Sequence, residues 1–200
     1  VRVTFDDAYQ HLLITLPELM ERFKFRPLIF VPTGLIGRSN RWDYSHFVRP
    51  MEHLNRDSIR RLVEMGVSFG SHGHSHTDLT SLDAGRLGAE LLFSKATLED
   101  LTGRPVTAIS YPFGRCDERI RKAASAAGYT EGYTLRFPWI DDHPMARGRT
   151  AVYGYDTPLS IFLKLGGEHW AALEALKAGI TNRLSGGTIL LNRLRRVPTD

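Results

Sequence analysis

Asp6 and Asp7 stand side by side after a short apolar run, and His72, His74 and His76 fall within five residues further along. Adjacent carboxylates on an extended backbone diverge, so one can bind a metal ion while the other faces a substrate. Histidines four apart, as His72 and His76 are, can turn both imidazoles toward one ion. Gly70 and Gly73 argue against a regular helix there, so the segment reads as a shaped loop with His74 pointing elsewhere. Two imidazoles and one carboxylate leave coordination positions open, as a reactive centre requires and a closed structural site does not. A divalent ion would also keep both carboxylates charged, which a bare pair resists. Zn²⁺, Co²⁺, Ni²⁺, Mn²⁺ and Fe²⁺ all suit such donors, and the donor types do not choose among them. The chemistry on offer is hydrolysis of an amide or ester. The plainer readings are exposed loop histidines, and Asp7 as a helix cap before Ala8-Tyr9-Gln10.

A third constellation is Tyr111-Pro112-Phe113-Gly114. It closes an apolar run with aromatic walls and a bend, able to line a sugar-sized groove and to offer backbone N–H groups to an oxyanion. A packed turn is the alternative. Cys116, the single cysteine, excludes an intrachain disulfide and reads as structural.

The elements that must carry these residues alternate between strand and helix. Strands are expected at 1–5, 27–31, 67–70, 106–110 and 129–134, with weaker ones at 151–153 and 188–191. Leu12, Leu13, Leu16, Leu19, Met20 and Phe23 recur at helical spacing. Asn55 or Asp57 caps a helix carrying Ile59, Leu62 and Val63, stopped by Gly66. Further helices are expected at 83–101, with Leu87, Leu91, Leu98 and Leu101 on one side, at 117–127 before Gly128, and at 158–178. Residues 33–54 read as a long loop, which in a compact domain is often functional. Such alternation implies a mostly parallel α/β sheet, either closed toward a barrel or open and doubly wound. In both, chemistry gathers where strands end, and Asp6, His72 and Tyr111 all follow strands.

The 200 residues suit one domain, and 42% hydrophobic with 24% charged residues allow a real core. No apolar run is long enough to span a membrane. The net charge of +4 is scattered, with its densest cluster at Arg193, Arg195 and Arg196, so nucleic acid is not an expected partner. The chain starts at Val1 inside a strand-like run, as a processed fragment would, so its export and compartment stay open, an extracytoplasmic or cell-envelope location included.

Taken in order, Thr4-Phe5-Asp6-Asp7, then Ser71-His72-Gly73-His74-Ser75-His76 with Asp78-Leu79, then Ser110-Tyr111-Pro112-Phe113-Gly114, and Gly128-Tyr129, resemble the polysaccharide deacetylase family with NodB homology. The resemblance is close over residues 1–135 and looser over 136–165. It implies a distorted, incomplete (β/α) barrel over 1–167, with 168–200 as a C-terminal extension or the last barrel elements. It implies removal of acetyl groups from N-acetylated, less often O-acetylated, carbohydrate, with an acetylated glycan as partner. By the same resemblance Asp7, His72 and His76 hold a divalent metal, Zn²⁺ first among the candidates. Asp6 is the base that deprotonates the metal-bound water, and Tyr111, Pro112 and Phe113 serve substrate and oxyanion.

The chain also departs from the family pattern. Ala8 replaces a glycine, Gly73 a Ser or Thr, and Ser110 an arginine, leaving Arg149 as the candidate to pair with Asp6. The late Leu-x-His motif that supplies a general acid reads Leu190-Leu191-Asn192, and Asn cannot deliver a proton at neutral pH. His74, His143, water or protonated Asp6 are the substitutes. The competing readings are a C–N hydrolase for a small amide or cyclic ureide, and a glycan-binding pseudo-deacetylase. A long groove lined by Trp42, Tyr44, Tyr111 and Trp139 would favour a polymer.

Overall fold

A computed structural model describes residues 1–40, 50–135, 143–154 and 156–165. Among them six parallel strands form one sheet: β1 (Thr4–Phe5), β2 (Leu28–Val31), β3 (Ser68–Ser71), β4 (Ala108–Ser110), β5 (Glu131–Thr134) and β6 (Arg147–Gly148). Their spatial order is their sequence order, each strand pairing with the next. Right-handed crossovers that never reverse direction put their helices on one side and curl the sheet. The result is part of a (β/α) barrel, and the doubly wound alternative, which needs a reversal of strand order, is ruled out.

The crossovers carry helices α1 (Leu12–Phe23), α2 (Arg56–Glu64), α3 (Ala84–Thr102) and α4 (Glu118–Ala126), with α5 (Pro158–Leu165) after β6. Start signals are local. Asn55, Asp83 and Asp117 each accept a backbone N–H three residues on, at Ser58, Arg86 and Ile120. Gly66, Gly103 and Gly128 follow the ends of α2, α3 and α4 at positive φ. Of the two candidates for the α2 cap, Asn55 is the one used.

Packing divides by strand alternation. Ile29, Val31, Phe69 and Ile109 join the large core with Leu12, Leu16 and Met20 of α1, Ile59 and Leu62 of α2, and Leu87, Leu91, Leu98 and Leu101 of α3. Leu28, Phe30, Ala108 and Tyr133 form a smaller cluster on the other face. Gly70 is what lets that face close. A Cβ there would stand 2.6 Å from Phe30 Cε1 and 2.9 Å from the Ala108 carbonyl. Gly70→Ala is expected to destabilise the fold by about 1–3 kcal/mol, as overpacking of a core does, read as a lower urea midpoint.

Two expectations shift. The strand placed at Ala151–Tyr153 is not one. The last described strand is Arg147–Gly148, and Val152 is exposed. The helix expected over 158–178 is described as Pro158–Leu165. Its remainder, the strand at 188–191, Asn192, the 168–200 extension, and Trp42, Tyr44 and Trp139 lie outside the described residues. No described helix is long and apolar enough to cross a membrane.

Candidate metal centre

Every segment of the site starts directly after a strand, and His76 lies four residues further along the loop that His72 opens. Asp6 and Asp7 continue β1, His72 continues β3, Tyr111-Pro112-Phe113 continues β4, and Arg149 continues β6. This is the C-terminal rim of the sheet, where a (β/α) barrel builds its chemistry.

Asp7 Oδ1 lies 3.3 Å from His76 Nε2 and 3.7 Å from His72 Nε2, and one donor atom from each residue falls within 4.8 Å of the others. A tetrahedral ion with bonds of about 2.1 Å keeps its donors about 3.4 Å apart, so the trio needs only small adjustments to close on one. Asp7 Oδ1 is also buried with no hydrogen-bond partner. A carboxylate oxygen in that state is costly unless a cation meets it. The residues therefore fit a divalent metal.

The imidazoles are preset for this. His72 Nδ1 lies 2.7 Å from the Ser110 carbonyl, which can only accept, so Nδ1 carries the proton and Nε2 presents its lone pair to Asp7. Burial pushes His72 below the usual imidazole range, against the pull of Asp6 and Asp7, and so favours the neutral ring that binds metal. His76 sits at φ 56, edge-on to His72 and to Phe113. Asp7 is not a helix cap, since α1 begins at Leu12 and its N-cap is His11. Burial would raise the Asp7 carboxyl, but His76, His72 and His53 outweigh it and hold it below its ordinary value.

Asp6 turns the other way. Its oxygens take both arms of Arg149, Nη1 at 2.7 Å and Nη2 at 2.8 Å. Arg149 also donates to Thr4 Oγ1 and Ser110 Oγ, and its guanidinium lies over the rings of Phe30 and Tyr133. A planar fork suits this bidentate, stacked position as a lysine could not. Against the raising effect of burial, His72 and Arg149 keep Asp6 ionised below the normal carboxylate range. Its side chain remains 26% exposed, so it can reach a bound substrate.

His74 faces away from this cluster. Its Nδ1 pairs with Thr33 Oγ1 at 2.9 Å and its ring meets Phe93. His143 is exposed and accepts the Met145 N–H.

Tyr111 requires a correction. Its side chain is fully buried and its hydroxyl donates to the Met145 carbonyl, so it is part of the core and not a groove wall. Gly132 leaves the room, since a Cβ there would meet that carbonyl and that hydroxyl. Pro112 is buried as well, and Phe113, at φ 59, is the residue of the three that reaches His76. Tyr111→Phe is expected to cost about 1–2 kcal/mol by stranding the Met145 carbonyl, with KM unchanged; urea unfolding beside steady-state kinetics checks both.

Two supporting residues escaped the sequence reading. Glu90 of α3 accepts from His74 N, Ser75 N and Ser75 Oγ at 2.7, 2.9 and 2.7 Å, and so pins the histidine loop. Its signal was a carboxylate three residues after Leu87 on the apolar stripe. His53 bonds the Asp7 carbonyl from within the 33–54 loop, which has no periodicity to mark it. Asp78, buried, binds Thr80 N and Arg115 Nη1, and thereby ties the histidine loop to the Phe113 loop.

Residues 1–132 match the sequence profile of the polysaccharide deacetylase family. The chain belongs to that family. YxkH of Bacillus subtilis, assigned to the same family, is 28% identical over 134 residues, which are 67% of this chain and 44% of YxkH. The chain thus spans less than half the length of that relative. Among solved structures, the Streptococcus pyogenes deacetylase PplD, determined with acetate, superposes with a TM-score of 0.66 at 19% identity, covering 82% of this chain and 69% of PplD. A polysaccharide deacetylase from Bacillus cereus gives 0.65 at 22% identity, over 82% and 50% of the two chains. At such identities these two likenesses speak for the fold, and they agree with the barrel-type sheet.

Proposed function

We propose that the chain is a metal-dependent carbohydrate deacetylase that hydrolyses N-acetyl groups, with Asp7, His72 and His76 holding the ion and Asp6 as the base. The observation that carries this reading is Asp7 Oδ1, buried without a hydrogen-bond partner and faced by two imidazole nitrogens, in a chain of the deacetylase family.

A divalent ion bound by those three residues supplies Lewis acidity toward the acetyl carbonyl and lowers the pKa of the attacking water. The remaining work falls to the chain. Asp6, held ionised and aimed by Arg149, takes a proton as the water oxygen bonds to the acetyl carbon. The carbonyl oxygen then gathers negative charge, and the backbone N–H of Phe113, on the turn beside His76, is offered to it. When the C–N bond breaks, protonated Asp6 returns its proton to the departing amine nitrogen. Free acetate and a free amine are the products, with one water consumed. One carboxyl that serves first as base and then as acid has no need of a histidine at position 192.

The test is acetate release from N-acetylglucosamine oligomers, with and without a chelator, and after adding back Zn²⁺, Co²⁺ or Mn²⁺. Release that the chelator abolishes and the metal restores is expected. Release only from small amides, or none from a metal-loaded chain, would overturn the assignment.

A further inference from the structure

Asp7 and Ala8 are consecutive non-glycine residues at positive φ, 67° and 52°. Asp tolerates that region as a single residue but Ala does not favour it, so two in succession need something outside the pair to keep them there. The segment 52–54 grips it at successive points. Gln10 N donates to the Glu52 carbonyl at 2.8 Å, and Leu54 N donates to the Ala8 carbonyl at 2.6 Å. Between these two bonds the His53 side chain reaches the Asp7 carbonyl itself, Nδ1 to oxygen, at 2.5 Å. A carbonyl only accepts, so Nδ1 carries the proton. The ring is 2% exposed, is stacked on Tyr9 at 5.0 Å, and its backbone N–H is anchored on the Arg38 carbonyl.

We infer that His53 is a positioning residue for the metal centre: by holding the Asp7 carbonyl it fixes the left-handed turn that aims Asp7 Oδ1 at His72 and His76. This rests on the metal-site reading above. The direction of a side chain follows from the φ and ψ of its own residue. A rotation at Asp7 would swing Oδ1 away from both imidazoles while leaving the rest of the sheet unchanged. His53 is too buried to touch a substrate, and the hydrogen bonds of Leu54 and Glu52 to the turn come from their backbones. The side chain of His53 is therefore the part of the grip that a substitution can remove.

Two variants separate aiming from packing. His53→Phe keeps a ring on Tyr9 and loses the donor. His53→Asn loses the ring and keeps an amide N–H near the position of Nδ1. Zn²⁺ affinity would be measured by competition with a chromophoric chelator, and Co²⁺ absorption bands would be recorded on the loaded, folded proteins. His53→Phe is expected to weaken Zn²⁺ binding by about 10–100-fold and to shift the Co²⁺ bands, with His53→Asn restoring affinity to within about threefold of the parent. A residue that only packed would alter the urea midpoint and leave affinity and bands alone. The inference is overturned if His53→Phe binds Zn²⁺ like the parent, or if His53→Asn is as weak as His53→Phe. A parent chain that binds no Zn²⁺ at all would instead remove the metal site, and this role with it.

Discussion

Asp6→Asn is expected to abolish acetate release by about 10²–10⁴-fold while Zn²⁺ still binds, because a positioned base contributes that much and an amide cannot accept the proton. Asp6 is a neighbour of the donor trio without belonging to it. Its Oδ2 stands 4.0 Å from His72 Nε2, and both its oxygens are committed to Arg149. The substitution is nearly isosteric, so the ion's own ligands stay where they are. It does set an amide N–H₂ against one arm of the guanidinium, which makes the urea midpoint a necessary control. Parallel measurements of kcat, bound zinc and unfolding separate loss of the base from loss of the site. Near-normal turnover by Asp6→Asn would show that another group takes the proton.

His76→Ala is expected to lose both metal and activity. Removing the hydrogen-bond partner of a ligand typically weakens metal binding about 10–100-fold, so removing one of three ligands should cost more than about 100-fold. Only His72 Nε2 and Asp7 Oδ1, 3.7 Å apart, would then remain of the trio. His76 packs against His72 and Phe113 and not in the main hydrophobic core, so the sheet should persist without it. The pair of variants is diagnostic together, since Asp6→Asn divides metal from catalysis and His76→Ala removes both. Zn²⁺ titration by calorimetry, alongside circular dichroism, provides the check. Unchanged affinity in a folded His76→Ala would place the ion elsewhere.

What could be read from the sequence was what lies in short contiguous stretches. Asp6-Asp7, His72–His76 and Tyr111–Gly114 each occupy a strand end, so strand periodicity and residue chemistry together put them on one rim. The helix caps at Asn55, Asp83 and Asp117 are equally local. What escaped depends on contacts between distant segments. Arg149 reaches Asp6 across 143 positions, and only its place in the chain hinted at the pairing. A strand of two residues, Arg147–Gly148, has too few positions to show a period, so the apolar stretch at 151–153 stood in for it. Tyr111 looked like a groove wall because an aromatic ring beside reactive residues suits a sugar. Its burial is settled by Gly132 and Met145, which no local pattern reveals. Glu90 stands out on its helix only as a carboxylate on the apolar stripe, with nothing local to name the histidine loop as its partner, and His53 holds a backbone carbonyl, which leaves no mark on sequence spacing.

The most direct measurement is anomalous diffraction at the zinc edge from crystals of the chain grown with Zn²⁺. One strong peak is expected at the strand rim, within about 2.0–2.2 Å of Asp7 Oδ1, His72 Nε2 and His76 Nε2. A peak bound elsewhere, or none in a chain that still releases acetate, would contradict the metal centre on which the proposed chemistry depends.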